Sequence, residues 1–391
     1  MLVLLATNSI AQETINKDPS PAEIDFLFSY YKQDGDSSAV TGGKGTEELN
    51  DIASIIIVNI PRRNNKRLNI EAGVSYYTSA SSDEIDPNTI SGASHHNWIF
   101  HTEITKSKED TARNFSRSIS IRSTLQYNFV SFGTGFSFSK TSIDNNRRLT
   151  FTGNFNYDKW APYYKLSRLY PKEIRFSTVP LPTDTRYSVD GAITLNQVIN
   201  KKLQGMVSLG LIYQWGLLST PFHRVYFEDQ GNNADLERLP GRRIRIPVAM
   251  RLNYYLNDLI LLRGFYRYYA DNFGIMAQTI QLETPIKISN FFSIYPYYRF
   301  YSQTASTYFA PYKTHLTEEA FYTSDNDLSA FNSHMIGGGW RISPPLGITG
   351  TKPSHHTSKY FFKTIEFRYG HYWRTNGLKA HIFSLNFSFL Q

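Results

Sequence analysis

No cysteine occurs in the 391-residue sequence. Disulfide staples, zinc–thiolate centres and cysteine nucleophiles are thereby excluded. Long apolar runs are also missing. The longest, Ile55 to Val58 and Leu259 to Leu262, fall far below the ~20 residues that a membrane-crossing helix needs. Such a chain crosses a membrane only as a closed barrel, because an open sheet edge would leave backbone groups unpaired in hydrocarbon. Nucleophile elbows, metalloprotease helices, phosphate loops and dinucleotide fingerprints are absent as well. The formal charge is +8 and the pI about 9.3. The basic residues are nevertheless scattered through aromatic segments, with no basic tail or helix, so nucleic acid is not an expected partner. A basic wall facing anionic lipopolysaccharide or an anionic solute fits this charge better.

Aromatic residues are what the chain has in abundance. Phe and Tyr number 27 each and aromatics reach 15%, yet hydrophobic residues total only 41% and the mean hydropathy is −0.38. Many aromatics in a polar average mean apolar positions diluted one for one by polar ones. The order of residues agrees. Leu203, Val207, Leu209, Leu211, Tyr213 and Trp215 share one face of a strand, with Gln204, Ser208 and Gln214 on the other. Leu149, Phe151, Phe155 and Tyr157 alternate with Thr150, Thr152, Asn154, Asn156 and Asp158. Leu68, Ile70, Ala72, Val74 and Tyr76 alternate with Asn69, Glu71, Gly73 and Ser75. Helical spacing fits none of these. Strands are expected near 22–32, 51–60, 66–79, 97–106, 114–127, 130–141, 148–158, 186–198, 202–215, 243–256, 259–270, 274–288, 291–302, 331–343, 359–373 and 378–390.

The connections alternate in length. Pro61–Asn65, Ser107–Ala112, Ile143–Arg147, Ile199–Lys201, Asn257–Asp258 and Ser289–Asn290 read as short turns. The segments 33–50, 80–96, 159–185, 216–242 and 303–330 are long and contain Gly, Ser and Pro. Short connections near 128–129 and 271–273, and a long one at 344–358, depart from this alternation. In the last strand Phe383, Leu385, Phe387 and Phe389 alternate with Ser384, Asn386 and Ser388. An aromatic final strand is the feature that barrel-assembly machinery recognises in outer-membrane proteins. The expected fold is all-β: a transmembrane antiparallel up-and-down β-barrel of about sixteen strands, with short periplasmic turns and long outer loops. At the N-terminus, Leu2 to Ala6 is apolar, and Ser9 and Ala11 suit the −3 and −1 positions of a signal-peptidase site. The expected organisation is a signal-peptide remnant at 1–11, a periplasmic tail at 12–21 and a barrel at 22–391.

The segments between strands carry motifs of their own. They include Tyr30-Tyr31-Lys32-Gln33-Asp34-Gly35, Ser38-Ala39-Val40-Thr41-Gly42-Gly43-Lys44-Gly45-Thr46-Glu47, and Tyr77-Thr78-Ser79-Ala80-Ser81-Ser82-Asp83. Further on come Pro221-Phe222-His223-Arg224-Val225-Tyr226-Phe227, Arg238-Leu239-Pro240 and Phe321-Tyr322-Thr323-Ser324-Asp325, with Asp327-Leu328-Ser329-Ala330-Phe331 after the last. In these motifs the chain resembles an uncharacterised Bacteroidota family of predicted outer-membrane proteins, a domain of unknown function. The resemblance implies a location and a fold but no activity.

Alternation assigns a lumen face. In the second half it carries Arg243, Arg245, Arg251, Arg263, Arg267, Arg299, Arg341 and Arg368, opposed by Glu283 and Glu366. In the first half it carries Asp25, Glu71, Glu103, Asp158 and Asp190, with Arg122. One wall would be basic and the other acidic, a field that selects polar or anionic solutes. The competing reading is that these charges pair across the lumen and rigidify a closed barrel. Asp34, Asp36, Glu47, Glu48, Asp83, Glu84, Asp86, Asp325 and Asp327 fall in outer loops, where oxygen-rich segments suit Ca²⁺ but more often form Asx turns. The adjacent pairs His95-His96 and His355-His356 are poor chelates, whereas His101 and Glu103 share a strand face. Trp98, Tyr213, Trp215, Tyr266, Tyr268, Trp340 and Trp373 suit an interfacial girdle.

The expected function is a porin-like channel or transporter for small polar or anionic solutes. One alternative is a non-conducting barrel that docks an envelope protein partner, in a redox- or metal-related complex for instance. A second is an outer-membrane enzyme, for which Ser94–His95 and Ser333–His334 are the neighbouring nucleophile–base pairs. No cofactor is expected. Expected partners are outer-membrane lipid, lipopolysaccharide and the barrel-assembly machinery.

Overall fold

The computed structural model describes residues 21–79, 96–126, 129–160, 185–221, 223–345, 347–351 and 360–390. The strands in chain order are β1 (Glu23–Asp34), β2 (Leu49–Arg62), β3 (Lys66–Ser79), β4 (His96–Asp110), β5 (Phe115–Gln126), β6 (Phe129–Thr141) and β7 (Arg147–Trp160). They continue with β8 (Thr185–Asn200), β9 (Leu203–Gly216), β10 (Arg224–Tyr226), β11 (Ala234–Leu236), β12 (Arg242–Tyr255), β13 (Leu261–Asp271) and β14 (Met276–Glu283). The last are β15 (Ile286–Lys287), β16 (Phe292–Ile294), β17 (Tyr297–Gln303), β18 (Phe331–Ile342), β19 (Thr349–Thr351), β20 (Tyr360–Arg374) and β21 (Lys379–Leu390).

Sixteen spans form one antiparallel sheet, each pairing with its neighbour in the chain, and β21 returns to β1 to close it. At the seam Glu23 lies opposite Leu390 and Asp34 opposite Lys379, so the backbone is paired all the way round. β10 and β11 form a separate hairpin within the 216–242 connection.

Two of the expected spans are interrupted. The stretch 274–288 is split into β14 and β15 at Pro285, and 291–302 into β16 and β17 at Pro296. Proline has no N–H to give to the ladder. Here the two prolines lie on adjacent spans, and Thr284 N donates to Pro296 O at 2.9 Å. At the other end of the prediction, β4 runs past 106 to Asp110, because Lys108 still pairs with Arg117 and Asp110 with Phe115. The leader and most of the tail expected at 1–21 lie outside the described residues, as do Asp83, Glu84, Asp86 and His95.

The two faces differ as the alternation requires. Phe28, Ile52, Phe100, Phe136, Phe151, Ile193, Met250, Ile280 and Ile336 all point outward, and Ile121 and Leu209 are 67% and 52% exposed. In water, this continuous belt would far exceed the apolar patches of a soluble monomer. In a bilayer it faces lipid. The opposite face is identified by reach. Arg368 Nη1 meets Glu283 Oε2 at 3.0 Å although β17 and β18 stand between their strands, and Gln126 on β5 donates to Tyr77 Oη on β3 at 2.7 Å. Side chains bridge over intervening strands in this way only on the concave side. Glycine makes room there: a Cβ at Gly337 or Gly370 would come within 2.5 or 2.4 Å of Tyr297 Oη, so the Tyr297 ring lies over bare backbone.

The short turns owe their shape to asparagine. Asn64, Asn65, Asn114 and Asn145 hold φ of 62°, 54°, 48° and 57°, the left-handed region that Asn tolerates better than other side chains.

The two faces respond differently to charge. Leu209→Arg is expected to cost about 2–4 kcal/mol at mid-membrane and to block assembly. Ser208→Arg, one residue away and facing the lumen, is expected to assemble. Heat-modifiable gel migration of the two variants checks this, and equal migration would contradict the facing assignment.

Candidate pore lumen and outer cap

Strands β12 to β20 carry the basic wall. All eight predicted arginines, Arg243, Arg245, Arg251, Arg263, Arg267, Arg299, Arg341 and Arg368, are half-buried on the lumen face. Three of them hold carboxylates. Arg243 pairs with Asp271, Arg263 with Glu283 at 2.9 Å, and Arg368 with both Glu283 at 3.0 Å and Glu366 at 2.6 Å. Asp271 escaped the sequence reading because it ends β13, one residue past the expected strand. The other five arginines have no ion-pair partner among the described residues. The Nε atoms of Arg245, Arg267 and Arg341 are buried without a hydrogen bond, and Arg251 lies 5.7 Å from the Phe265 ring centre. This wall therefore keeps a net positive field.

The acidic wall is largely satisfied. Asp158 is buried and meets Arg186 at 2.8 Å, a cation the sequence reading did not include. Glu71 lies 3.5 Å from His101. Asp190 accepts from Asn154 Nδ2 at 2.7 Å, and Arg122 donates to Asn154 at 3.0 Å. Glu103 accepts from Thr105 at 3.3 Å, and Asp25 from Ser388. The carboxylates of this wall are thus met mostly by neutral donors, with Asp158–Arg186 as its arginine ion pair, whereas five arginines of the other wall have no carboxylate partner among the described residues.

A cap of three outer loops covers part of the outer mouth. Residues 35–48 join β1 to β2, and residues 217–241 join β9 to β12. These junctions are eight strands apart in a ring of sixteen, on opposite sides of the barrel. The loops nevertheless touch. Gly42 has φ 84°, and a Cβ there would lie 2.5 Å from Tyr226 Cδ2, so the Tyr226 ring rests on the glycine. Chains anchored at opposite points of a ring can meet only across its opening. The third loop, 304–330 between β17 and β18, joins them. Asn326 Nδ2 donates to Ser37 O at 3.4 Å, and Lys44 Nζ sits 5.3 Å from the Tyr312 ring centre. Arg238 and Tyr322 exchange backbone hydrogen bonds at 3.0 and 2.7 Å. The cap has a core of its own, with Val225, Phe227 and Tyr322 packed together and His315 buried beside them. It is fastened to the barrel where Arg374 Nη1 meets Asp327 Oδ1 at 2.5 Å and Gln303 Nε2 donates to Asp327 O at 2.9 Å.

The predicted loop carboxylates separate in this cap. Asp34 ends β1 and is exposed. Asp325 caps a short 3₁₀ turn, accepting Asp327 N at 2.9 Å, and Asp327 serves the anchor to Arg374. Burial pushes the Glu47 carboxyl up to about 7 and that of Asp325 up to about 6. One cluster was not visible in the sequence: His223, Glu237 and Asp325, from two loops, bring ligand-type atoms within 4.8 Å of one another. Burial opposes charge on His223, but the adjoining Glu237 and Asp325 outweigh it and raise its pKa. The Ser333–His334 pair fails as a nucleophile and base. Neighbours on a strand face opposite ways, so Ser333 is buried inside while His334 accepts or donates at Tyr298 Oη, 2.8 Å away, and stacks on Trp373. Of the predicted girdle, Trp98 packs at a tilt against Tyr76, and Trp215 stacks on Tyr187 and Tyr213, at the outer ends of their strands.

Residues 89–389 match the family described as protein of unknown function, DUF3570. The chain belongs to this family. Among curated proteins, none matches the sequence. Solved structures with a similar chain path include a bacterial polysaccharide outer membrane secretin, 10% identical with a TM-score of 0.45, covering 95% of this chain and 99% of that one. A BenF-like porin from Pseudomonas fluorescens Pf-5 is 6% identical, with a TM-score of 0.40 and coverages of 95% and 99%. A TodX monoaromatic hydrocarbon channel mutant is 9% identical, with a TM-score of 0.40 and coverages of 96% and 91%.

The paired and unpaired arginines are expected to respond differently to mutation. Glu283→Leu leaves Arg263 and Arg368 without their shared carboxylate. A fully buried pair loses about 3–5 kcal/mol when broken. Lumen water should reduce this to about 1–3 kcal/mol. Arg267→Leu, with no carboxylate to strand, should change stability by no more than about 0.5 kcal/mol. Urea unfolding in lipid vesicles compares the two.

Proposed function

We propose that this DUF3570 protein is an outer-membrane channel for small polar or anionic solutes, with an outer cap that limits access to its lumen. Closure of the sheet and the apolar outer belt support the outer-membrane location. The observation that carries the solute class is the set of lumen arginines without carboxylate partners: Arg245, Arg251, Arg267, Arg299 and Arg341. Uncompensated guanidiniums on one wall lower the energy of an anion in the lumen and raise that of a cation. Sixteen strands enclose a lumen wide enough for water unless loops fill it. The reading assigns no catalytic role to the barrel. Lipid and lipopolysaccharide would surround it, and its aromatic last strand would be the segment read by the assembly machinery.

A second reading follows from the cap. Loops hydrogen-bonded across the mouth also suit a non-conducting barrel that presents a folded surface to an envelope protein. The two readings part in a planar bilayer. A channel should conduct with anion preference, and Arg267→Glu combined with Arg299→Glu should shift the reversal potential toward cations. Gly42→Val should raise conductance or open probability, because a side chain there is strained at φ 84° and collides with Tyr226. Silence of both the wild type and Gly42→Val, with barrels shown to be folded, favours the docking reading.

A further inference from the structure

We propose that His223, Glu237 and Asp325 form a binding site for one divalent first-row transition cation, which latches the outer cap. The cluster joins two loops. His223 and Glu237 come from 217–241, and Asp325 from 304–330. His223 Nδ1 stands 3.5 Å from Glu237 Oε1 and 3.6 Å from Asp325 Oδ2. These separations are long for hydrogen bonds. They match the edge of a tetrahedron with bonds of about 2.1 Å, which is about 3.4 Å. Nδ1 is buried and has no hydrogen-bond partner, although it faces two carboxylate oxygens. A buried polar atom without a hydrogen bond is costly. At 3.5 and 3.6 Å the two carboxylates pair with it only as charges, and a cation between the three groups would bind all of them directly.

The surrounding hydrogen bonds fix the ligand atoms in place. Glu237 is 2% exposed, and both of its oxygens are held: Thr323 Oγ1 donates to Oε1 at 2.5 Å and Thr220 N to Oε2 at 2.6 Å. Asp325 N donates to that same Thr323 hydroxyl at 3.0 Å, and Asp327 N occupies Asp325 Oδ1, leaving Oδ2 toward the histidine. Outer hydrogen bonds of this kind orient ligands and tune their basicity. Two carboxylates balance a dication. One imidazole with two carboxylates suits Zn²⁺, Fe²⁺ or Mn²⁺ rather than the all-oxygen cage that Ca²⁺ takes. Water would complete the coordination.

The position gives the ion a mechanical role. Ser324, next to Asp325, lies against Gly43 of the 35–48 loop: a Cβ on Gly43 would be 2.7 Å from Ser324 O. A bound cation would therefore stiffen the junction where all three cap loops meet. Its effect on permeation rests on the channel reading above, whereas binding itself does not.

The test uses the folded, metal-stripped full-length barrel in detergent, titrated with Zn²⁺ by calorimetry and with Co²⁺ by visible absorption. The expected result is one equivalent of each. Binding should be lost in His223→Ala and in Glu237→Gln, and should fall about 10–100-fold in Thr323→Val, which removes no ligand but only the two hydrogen bonds of the Thr323 hydroxyl, to Glu237 Oε1 and from Asp325 N. Asp229→Asn, on an exposed residue of the same loop, should bind normally. Heat-modifiable migration confirms that each variant is a closed barrel. Absence of stoichiometric binding to the wild type, or unchanged binding in His223→Ala, overturns the proposal. Bilayer recordings then address the latch. Zn²⁺ should reduce wild-type conductance and leave His223→Ala unaffected. Stoichiometric binding to a barrel that is silent both as wild type and as Gly42→Val would keep the metal site and remove the channel reading.

Discussion

Backbone pairing between the first and last strands is the constraint on which the rest depends. The register that sets Glu23 against Leu390 and Asp34 against Lys379 removes the two edges this sheet would otherwise have at its first and last strands. In hydrocarbon, each unpaired N–H or C=O costs several kcal/mol, so a sheet left open would not be stable there. Closure divides the residues of each strand between lipid and lumen, and it brings loops from distant parts of the chain to one rim. The seam is also reinforced by side chains: Phe26 packs edge-on against Phe389 with ring centres 5.7 Å apart, and Phe28 against Phe387 at 6.4 Å.

Inside the barrel, pairing is uneven, and the unevenness gives the lumen its polarity. Where a carboxylate and a cation fall on neighbouring strands at one level, as with Asp158 and Arg186, they neutralise each other. On the other wall, three carboxylates are shared among arginines that outnumber them, with Glu283 serving both Arg263 and Arg368. The surplus guanidiniums are half-buried on the lumen face rather than fully enclosed, which is why such a wall can exist at all. The cap is a different environment. It has buried apolar residues and titratable groups close together, with backbone pairing between loops, and so resembles a small globular domain laid across the rim.

Much of this was legible in particular residues. Leu68 to Tyr76 alternates so regularly that its strand is found at the expected 66–79. Asn64-Asn65 marks a turn because asparagine accepts a left-handed backbone. Arg263 and Glu283 could be placed on one face by counting in twos along their strands. Counting could not show that Pro285 and Pro296 would sit on adjacent spans and break both. Nor could it show that Asp271 would take Arg243, or that His101 would lie over Gly73 beside Glu71 rather than chelate with Glu103.

The sequence by itself therefore determined the architecture: strand number, facing, turn side and the sign of the lumen wall. A period of two is a local property, and a membrane barrel enforces it at nearly every position. The partners across the lumen, the meeting of loops over the mouth and the gathering of His223, Glu237 and Asp325 were decided only by tertiary structure. Those residues are far apart in the chain and follow no period. What brings them together is the circumference of a closed ring, which places residue 42 and residue 226 within contact though their strands stand on opposite sides.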